Sequence, residues 1–511
     1  MWDSDLAEKI AQKKQKKNVV ATGITPSGLI HIGNLREVTV GDVCYKALIK
    51  SKIKADFIYI ADDFDRLRKL YPFLPKSFEK YIGMPLSKIP DPFGDCHQSY
   101  SEHFLADFYQ NLPKLGIKPK IISATQLYET GQYTEMIKIA LQKKEEIKKI
   151  LEDISHRELD NDWSPFNPLC KKCGRIDQAI VIDENLNENQ VEYKCACGFS
   201  DTADFSKGQG KLYWRIDWPA RWKMFGIVVE PFGKEHAASG GSYDTAKIIS
   251  QKIFEYESPE GVFYEFIYLK GTKGKMSSSL GNVVSITELL KISPPEIARY
   301  LLIKNKDRHI TLDLGENLIG LIGEFNRLEA KINDKTASGE EEDLYYYCKI
   351  SDKKSRPHIP FGHLTTILQS ANGDIAEIIR LLKRTEYFKT EDEKILNEDL
   401  QRAKQWLEKY APENYKFSVQ KEMPKDLPKF SSQQLALFKK IVKYFQKNRT
   451  INPEKLHNYI YETGKELKLS PKETFEPFYL IFINQNHGPK LGWFLAGLDR
   501  EFVVRRLKEI L

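Results

Sequence analysis

The chain has no run of about 18 consecutive apolar residues, the length a helix needs to cross a bilayer, so a transmembrane helix is not expected. The opening MWDSDLAEKIAQKKQKK is charged and predicts an amphipathic helix rather than a signal peptide. Cysteine is scarce and odd in number, seven in 511 residues, which argues against a disulfide framework. A large charge excess is also missing: 78 basic residues face 71 acidic ones, and the net charge of +7 permits a nucleic-acid partner without demanding one. No internal repeat of fixed period is evident, and no GxxxxGK[ST] stretch occurs, which disfavours a Walker-type ATPase. With 41% apolar and 12% aromatic residues the composition is globular, and the length calls for two to four domains. A cytoplasmic protein that does not engage a membrane is the expectation.

Residues 18–24 (NVVATGI) read as a buried strand that stops at Gly and Pro, followed by a helix over 31–50 and a second strand at 56–60. That order opens a doubly wound parallel (Rossmann-type) α/β sheet, with ligand expected beyond the carboxyl ends of the strands. A charged helix over 136–158 leads into a zinc-ribbon-like insertion at 163–200. Strand signals return at 226–230 and 262–269, with a helix at 243–257 between them. Residues 1–292 read as the α/β catalytic domain and 293–511 as an α-helical region.

Two stretches carry nucleotide chemistry. TGITPSGLIHIGN (residues 22–34) lies where a strand gives way to a helix, so helix-end amides and the positive end of the helix dipole face the ligand. Gly28 and Gly33 let a nucleotide approach the backbone, with Pro26 and Ser27 as further ATP-binding candidates, and His31 and Asn34, three apart, share one helix face. GTKGKMSSS (residues 271–279) brings Lys275, Met276, Ser277, Ser278 and Ser279 in a loop able to close over a triphosphate. Either stretch alone could be a glycine-rich turn or a surface loop.

His31–Asn34 resembles the HIGH signature of class I aminoacyl-tRNA synthetases, and Lys275–Ser279 resembles their KMSKS signature. The pair HIGN with KMSSS, the lead-in TGITPSGLIHIGNLREV, PFGKEHAASGGSYDT and GPKLGWFLAG together resemble the class I lysyl-tRNA synthetases over essentially the whole chain. The resemblance implies activation of L-lysine with ATP and Mg²⁺ to an adenylate, with His31, Asn34 and Lys275 as catalytic residues. It then implies transfer to the 2′-OH of the 3′ adenosine of tRNA-Lys, by a monomer. A lysine pocket needs a carboxylate for the ammonium and an aromatic wall for the methylenes. By resemblance, Gly23, Thr25, Trp214, Trp218, His236, Glu265 and Tyr268 are the amino-acid-binding candidates.

Cys170-x2-Cys173 with Cys195-x-Cys197 supplies four thiolates for a closed, structural Zn²⁺ site. Asp91, Cys96, His97 and His103 form a second set of zinc-compatible ligands, alternatively ordinary hydrogen-bonded polar groups. In the helical region RLLKR, KKIVKYFQKNR and RRLK are basic stretches suited to tRNA phosphates, with solvated helix faces as the plain alternative. An α-helical anticodon-binding region is what the resemblance implies. The competing readings are a class I synthetase for glutamate or cysteine, a small adenylyl-transferring enzyme, and a non-catalytic tRNA-binding paralogue.

Overall fold

The structure, a computed structural model, describes residues 2–13, 15, 17–156, 158–238, 240–272, 276, 283–350, 359–371, 373–383 and 393–511. The chain forms two compact units. The first comprises Met1–Leu289, Ala298–Leu312 and Glu342–Ser351, so two segments beyond the change in sequence texture at residue 293 pack with the α/β part.

In this first unit β1 (Val19–Ile24), β2 (Asp56–Ala61) and β3 (Lys120–Ser123) come first. The strands β4 (Phe166–Pro168), β5 (Ala179–Asn185), β6 (Gln190–Cys195), β7 (Ser200–Asp204) and β8 (Gly210–Leu212) build the insertion. The chain then returns as β9 (Ile227–Gly233) and β10 (Glu260–Tyr264). The main sheet has the order β10-β9-β1-β2-β3 and is parallel throughout, which is the doubly wound arrangement expected. Its inner strands β1, β2 and β9 are buried on both faces and read as apolar runs for that reason, whereas the edge strands β3 and β10 are partly exposed. The strand order reverses between β1 and β9, and a crevice opens there at the carboxyl ends.

Two sequence expectations are corrected by packing. The single helix expected over 136–158 is two, Thr134–Gln142 and Lys144–Ser155, because Lys143 leaves helical geometry. The break lets Met136, Ile137 and Leu141 of one and Ile147, Ile150 and Leu151 of the other reach the same core. The strand expected over 262–269 splits at Glu265 and Phe266. Its second half, β11 (Ile267–Leu269), leaves the main sheet to pair in parallel with β12 (Ile310–Leu312).

The second unit comprises Leu290–Ile297, Asp313–Glu341 and Asp352–Leu511. Its described regular structure is helical, and several helices begin on side-chain caps: Ser431 and Ser470 form capping boxes with Gln434 and Glu473, and Asn452 and Asp499 cap two more. Its core gathers Leu437, Phe438, Ile441, Phe478, Phe482 and Phe494. Of the basic stretches, Arg506 is buried and donates to the carbonyls of Gln420, Lys421, Glu422 and Ile481, so it ties loops to the core rather than facing solvent. No described helix in either unit is long and apolar enough to cross a membrane.

Candidate active site

The carboxyl ends of β1, β2 and β9 and one face of the helix Trp214–Phe225 enclose a cavity of about 300 Å³, at the lower end of small-ligand sites. Gly23 and Thr25 line it from β1 and the turn after it, Asp62 and Asp65 from the turn after β2, and Glu230 and Phe232 from β9. The helix contributes Trp214, Asp217, Trp218 and Arg221, an i, i+3, i+4, i+7 set that shares one face. Trp214 and Trp218 stack with ring centroids 6.0 Å apart, and His236 meets them edge-on at 6.0 and 5.7 Å. Gly23 is dictated by crowding: a Cβ there would lie 2.8 Å from the Ile60 carbonyl oxygen on β2.

Charge is arranged unevenly around this cavity. Buried Lys211 reaches Asp62 at 3.1 Å, Asp65 at 2.5 Å and Asp217 at 3.4 Å. Buried Arg221 donates to Asp62 at 2.6 and 3.0 Å, to Asp217 at 2.7 Å and to the Tyr133 hydroxyl at 2.9 Å. Although burial pushes the Asp62 carboxyl up, Arg221 and Lys211 hold it well below the usual carboxylate range. Glu37 and Glu230 have no such neighbours in salt-bridge contact among the described residues. Desolvation pushes Glu37 up to about 8, against the opposing effect of hydrogen bonds from the Gly23 N–H at 3.0 Å and the Tyr264 hydroxyl at 2.9 Å. Desolvation likewise raises Glu230 to about 7, despite the Trp222 indole N–H donating to it.

His31 is the N-cap of the helix Ile32–Lys50. Its Nδ1 accepts from the Gly33 N–H at 3.0 Å, while Asn34 Oδ1 accepts from the His31 N–H at 3.3 Å. With Nδ1 accepting, the neutral ring carries its proton on Nε2. Ser27 closes a turn, its N–H donating to the Thr25 carbonyl at 2.8 Å and its carbonyl accepting from the Tyr100 hydroxyl at 2.7 Å; Pro26 and Gly28 flank it, both buried. Met276 is buried and its N–H donates to the Ile267 carbonyl at 3.3 Å. Lys275, Ser277, Ser278 and Ser279 lie outside the described residues.

Of the seven amino-acid candidates, Gly23, Thr25, Trp214, Trp218 and His236 line the cavity. Glu265 and Tyr268 do not. Glu265 lies at the break between β10 and β11, where its carboxylate pairs with Lys234 at 2.7 Å and its carbonyl accepts from Arg36 at 2.5 Å. Tyr268, on β11, packs edge-on against His309 at 5.8 Å.

Both expected metal sets converge. The four sulfurs of Cys170, Cys173, Cys195 and Cys197 lie within 4.8 Å of one another, with 3.7 Å separating Cys170 from Cys197 and Cys173 from Cys195. The glycine after each pair takes a left-handed φ, +69° at Gly174 and +82° at Gly198, which turns the backbone back over the sulfurs. In the second set, buried Asp91 approaches Cys96 Sγ at 3.1 Å, His97 Nδ1 at 3.3 Å and His103 Nδ1 at 3.0 Å.

Residues 1–353 match the family model of the class I (K) tRNA synthetases. The chain belongs to this family. It is 43% identical to a lysine–tRNA ligase of Methanosarcina barkeri over 99% of this chain and 97% of that one. It is 41% identical to a lysine–tRNA ligase of Picrophilus torridus over 100% and 99% of the two chains, and 42% identical to one of Archaeoglobus fulgidus over 98% of each. Within this class I (K) synthetase, the sequence expectations did not include Glu37, Asp62, Asp65, Arg221 and Glu230, all of which line the cavity. Four of them left a trace: Glu37 follows Asn34 by three on the same helix, Glu230 is a lone acid in the apolar run IVVEPFG, and Asp62 and Asp65 close a strand as ADDFD.

Proposed function

We propose that the chain is a lysine–tRNA ligase. The lysine carboxylate attacks the α-phosphorus of ATP, the bond to the β-phosphate oxygen breaks, and pyrophosphate leaves with the electron pair. The 2′-OH of the 3′ adenosine of tRNA-Lys then attacks the lysyl carbonyl, loses its proton and expels AMP. The observation that carries this reading is the cavity at the sheet's switch point, where Glu37 and Glu230 stand beside an aromatic wall without a partner cation in salt-bridge contact among the described residues. An ammonium on a four-carbon stem satisfies both features: the charge meets Glu37, and the methylenes lie along Trp214, Trp218, Phe232 and His236. Glu37 thus takes the part that the sequence suggested for Glu265. Gly23 and Thr25 lie on the α-amino side.

ATP enters with Mg²⁺ as substrate over the turn Pro26-Ser27-Gly28. His31 through Nε2, Asn34 and Lys275 hold phosphate oxygens, and Lys275 opposes the charge growing on pyrophosphate, with Met276 to Ser279 shaping its loop. In this reading residues 1–292 perform the adenylate chemistry, the insertion at 163–200 is a zinc module, and residues 293–511 read the anticodon. The enzyme acts as a monomer in the cytoplasm.

Zn²⁺ suits the four-cysteine set, and the Asp91, Cys96, His97 and His103 set offers a second place for it. A tetrahedral ion bound at about 2.3 Å to thiolates separates them by about 3.8 Å, against the 3.7 Å found. Both sets use all four ligands, so they brace the fold and supply no water for catalysis. Metal analysis expects two zinc ions per chain, with Cys170→Ser losing one of them. ATP–pyrophosphate exchange run with each of the twenty amino acids tests the activity itself. Lysine alone should support it, and a response to glutamate or cysteine instead would sink the reading.

A further inference from the structure

We propose that Arg68 grips the α-carboxylate of the bound amino acid and carries it onto the α-phosphorus. The inference rests on the lysine-activating reading and adds a residue to it. Lysine brings two ammonium groups and one carboxylate into a cavity already lined by Glu37, Asp62, Asp65, Asp217 and Glu230. The two ammoniums find counter-charges there. The carboxylate, which must act as the nucleophile, meets repulsion unless a cation stands at its end of the site.

Among the described residues, Arg221 and Arg68 are the two arginines in the lining, and no lysine lines it. Arg221 is buried, and its Nε, Nη1 and Nη2 are all engaged by Asp62, Asp217 and Tyr133. Neighbouring Lys211 is buried against three carboxylates. Arg68 differs. Its side chain is 63% exposed, and its nearest acidic partner, Asp65 Oδ2, lies 3.8 Å away, beyond hydrogen-bond reach. An exposed pair at that distance contributes little to the fold. Asp65 is itself fixed, accepting from the Thr25 hydroxyl at 2.7 Å and from Lys211 at 2.5 Å, so it tethers Arg68 beside the end of β1. Thr25 begins the turn that leads through Pro26 to His31, so the guanidinium stands where the amino-acid cavity adjoins the nucleotide turn. A guanidinium holds a carboxylate through two parallel N–H donors. As the carboxylate oxygen bonds to phosphorus, its charge passes through phosphorus to the departing pyrophosphate, so the guanidinium serves to hold and aim the nucleophile until the bond has formed.

The test compares L-lysine with 1,5-diaminopentane, which keeps the stem and two ammonium groups but lacks the carboxylate. In Arg68→Ala, kcat/KM for lysine in ATP–pyrophosphate exchange should fall about a hundredfold. Inhibition by the diamine should stay within about twofold, and Arg68→Lys should recover part of the loss by restoring the charge without the fork. Equal weakening of lysine and diamine would show that Arg68 merely supports the cavity and would overturn the proposal. So would an Arg68→Ala enzyme with unchanged lysine kinetics. Failure of the unaltered protein to exchange with lysine at all would instead overturn the reading on which the proposal rests.

Discussion

The two sides of the amino-acid cavity use the same groups to opposite effect. On one side Asp62, Asp65 and Asp217 interlock with Lys211 and Arg221; on the other, Glu37 and Glu230 receive only neutral donors among the described residues. Asp62, Glu37 and Glu230 all pay the same kind of desolvation cost, yet Asp62 is held low while the two glutamates rise to about 8 and about 7. Enclosure is common to them, so the partner decides the charge state. Carboxylates already matched with cations build a wall. Carboxylates left unmatched in the same enclosure are poised for a cation that arrives with the substrate.

The largest expected effect comes from erasing that asymmetry at Glu37. Glu37→Gln keeps the shape and an acceptor for the Gly23 N–H but removes the charge. It should lower kcat/KM for lysine in ATP–pyrophosphate exchange about 1,000-fold, on the scale of losing one partner of an enclosed charge pair, and leave the KM for ATP within about twofold. Glu265→Gln, whose partner is Lys234, should change lysine kinetics far less. The same Glu37 variant carries a stability signature. Because the folded state raises this carboxyl from 4.5 to about 8, the native protein holds an extra proton across that interval, and its stability declines as pH rises through it. Denaturant unfolding of Glu37→Gln between pH 5 and 8 should show that decline reduced.

Next in size is damage to the matched side. Arg221→Met strands Asp62 and Asp217 beside a single remaining cation, and should cost about 3 kcal/mol of stability in denaturant unfolding. An undiminished midpoint would mean that the network is not the wall described above. The contrast between the two sides also marks what the sequence could reveal. The opening βαβ order, the strand-to-helix turn carrying His31 and Asn34, the Trp214–Trp218 pair and the two cysteine pairs all rest on spacings of a few residues, and such spacings survive folding. Which carboxylate faces the cavity does not. It depends on where residues 262–269 break and on Lys234, from another part of the chain, reaching Glu265. Nor could spacing show that Lys211 and Arg221 would meet Asp62, far away in sequence, and neutralise it.

A smaller effect, about fiftyfold between pH 6 and 8, should appear in the pH dependence of lysine binding. Below pH 8 Glu37 keeps its proton in the free protein, and the ammonium, with a pKa near 10.4 in water, can pair only with the ionised form. Lysine affinity measured by calorimetry should therefore rise from pH 6 to about 8 and then level. Glu37→Gln should abolish the rise, whereas a slope that survives the substitution would move the titrating role to Glu230.

The finest probe is Tyr264→Phe. The hydroxyl donates to Glu37 at 2.9 Å and favours the ionised carboxylate, working against the desolvation that raises it. Deleting one neutral hydrogen bond of this kind is worth about 1 kcal/mol, so the KM for lysine at pH 7 should rise about fivefold. Part of that loss is a pKa effect, because without the hydroxyl Glu37 holds its proton to still higher pH. The handicap should consequently shrink by pH 9, where Glu37 is mostly ionised in the unaltered protein and increasingly so in the variant. A fivefold difference that stays constant from pH 7 to 9 would instead place the hydroxyl on the ligand side of the balance, acting on the bound lysine and not on the charge of Glu37.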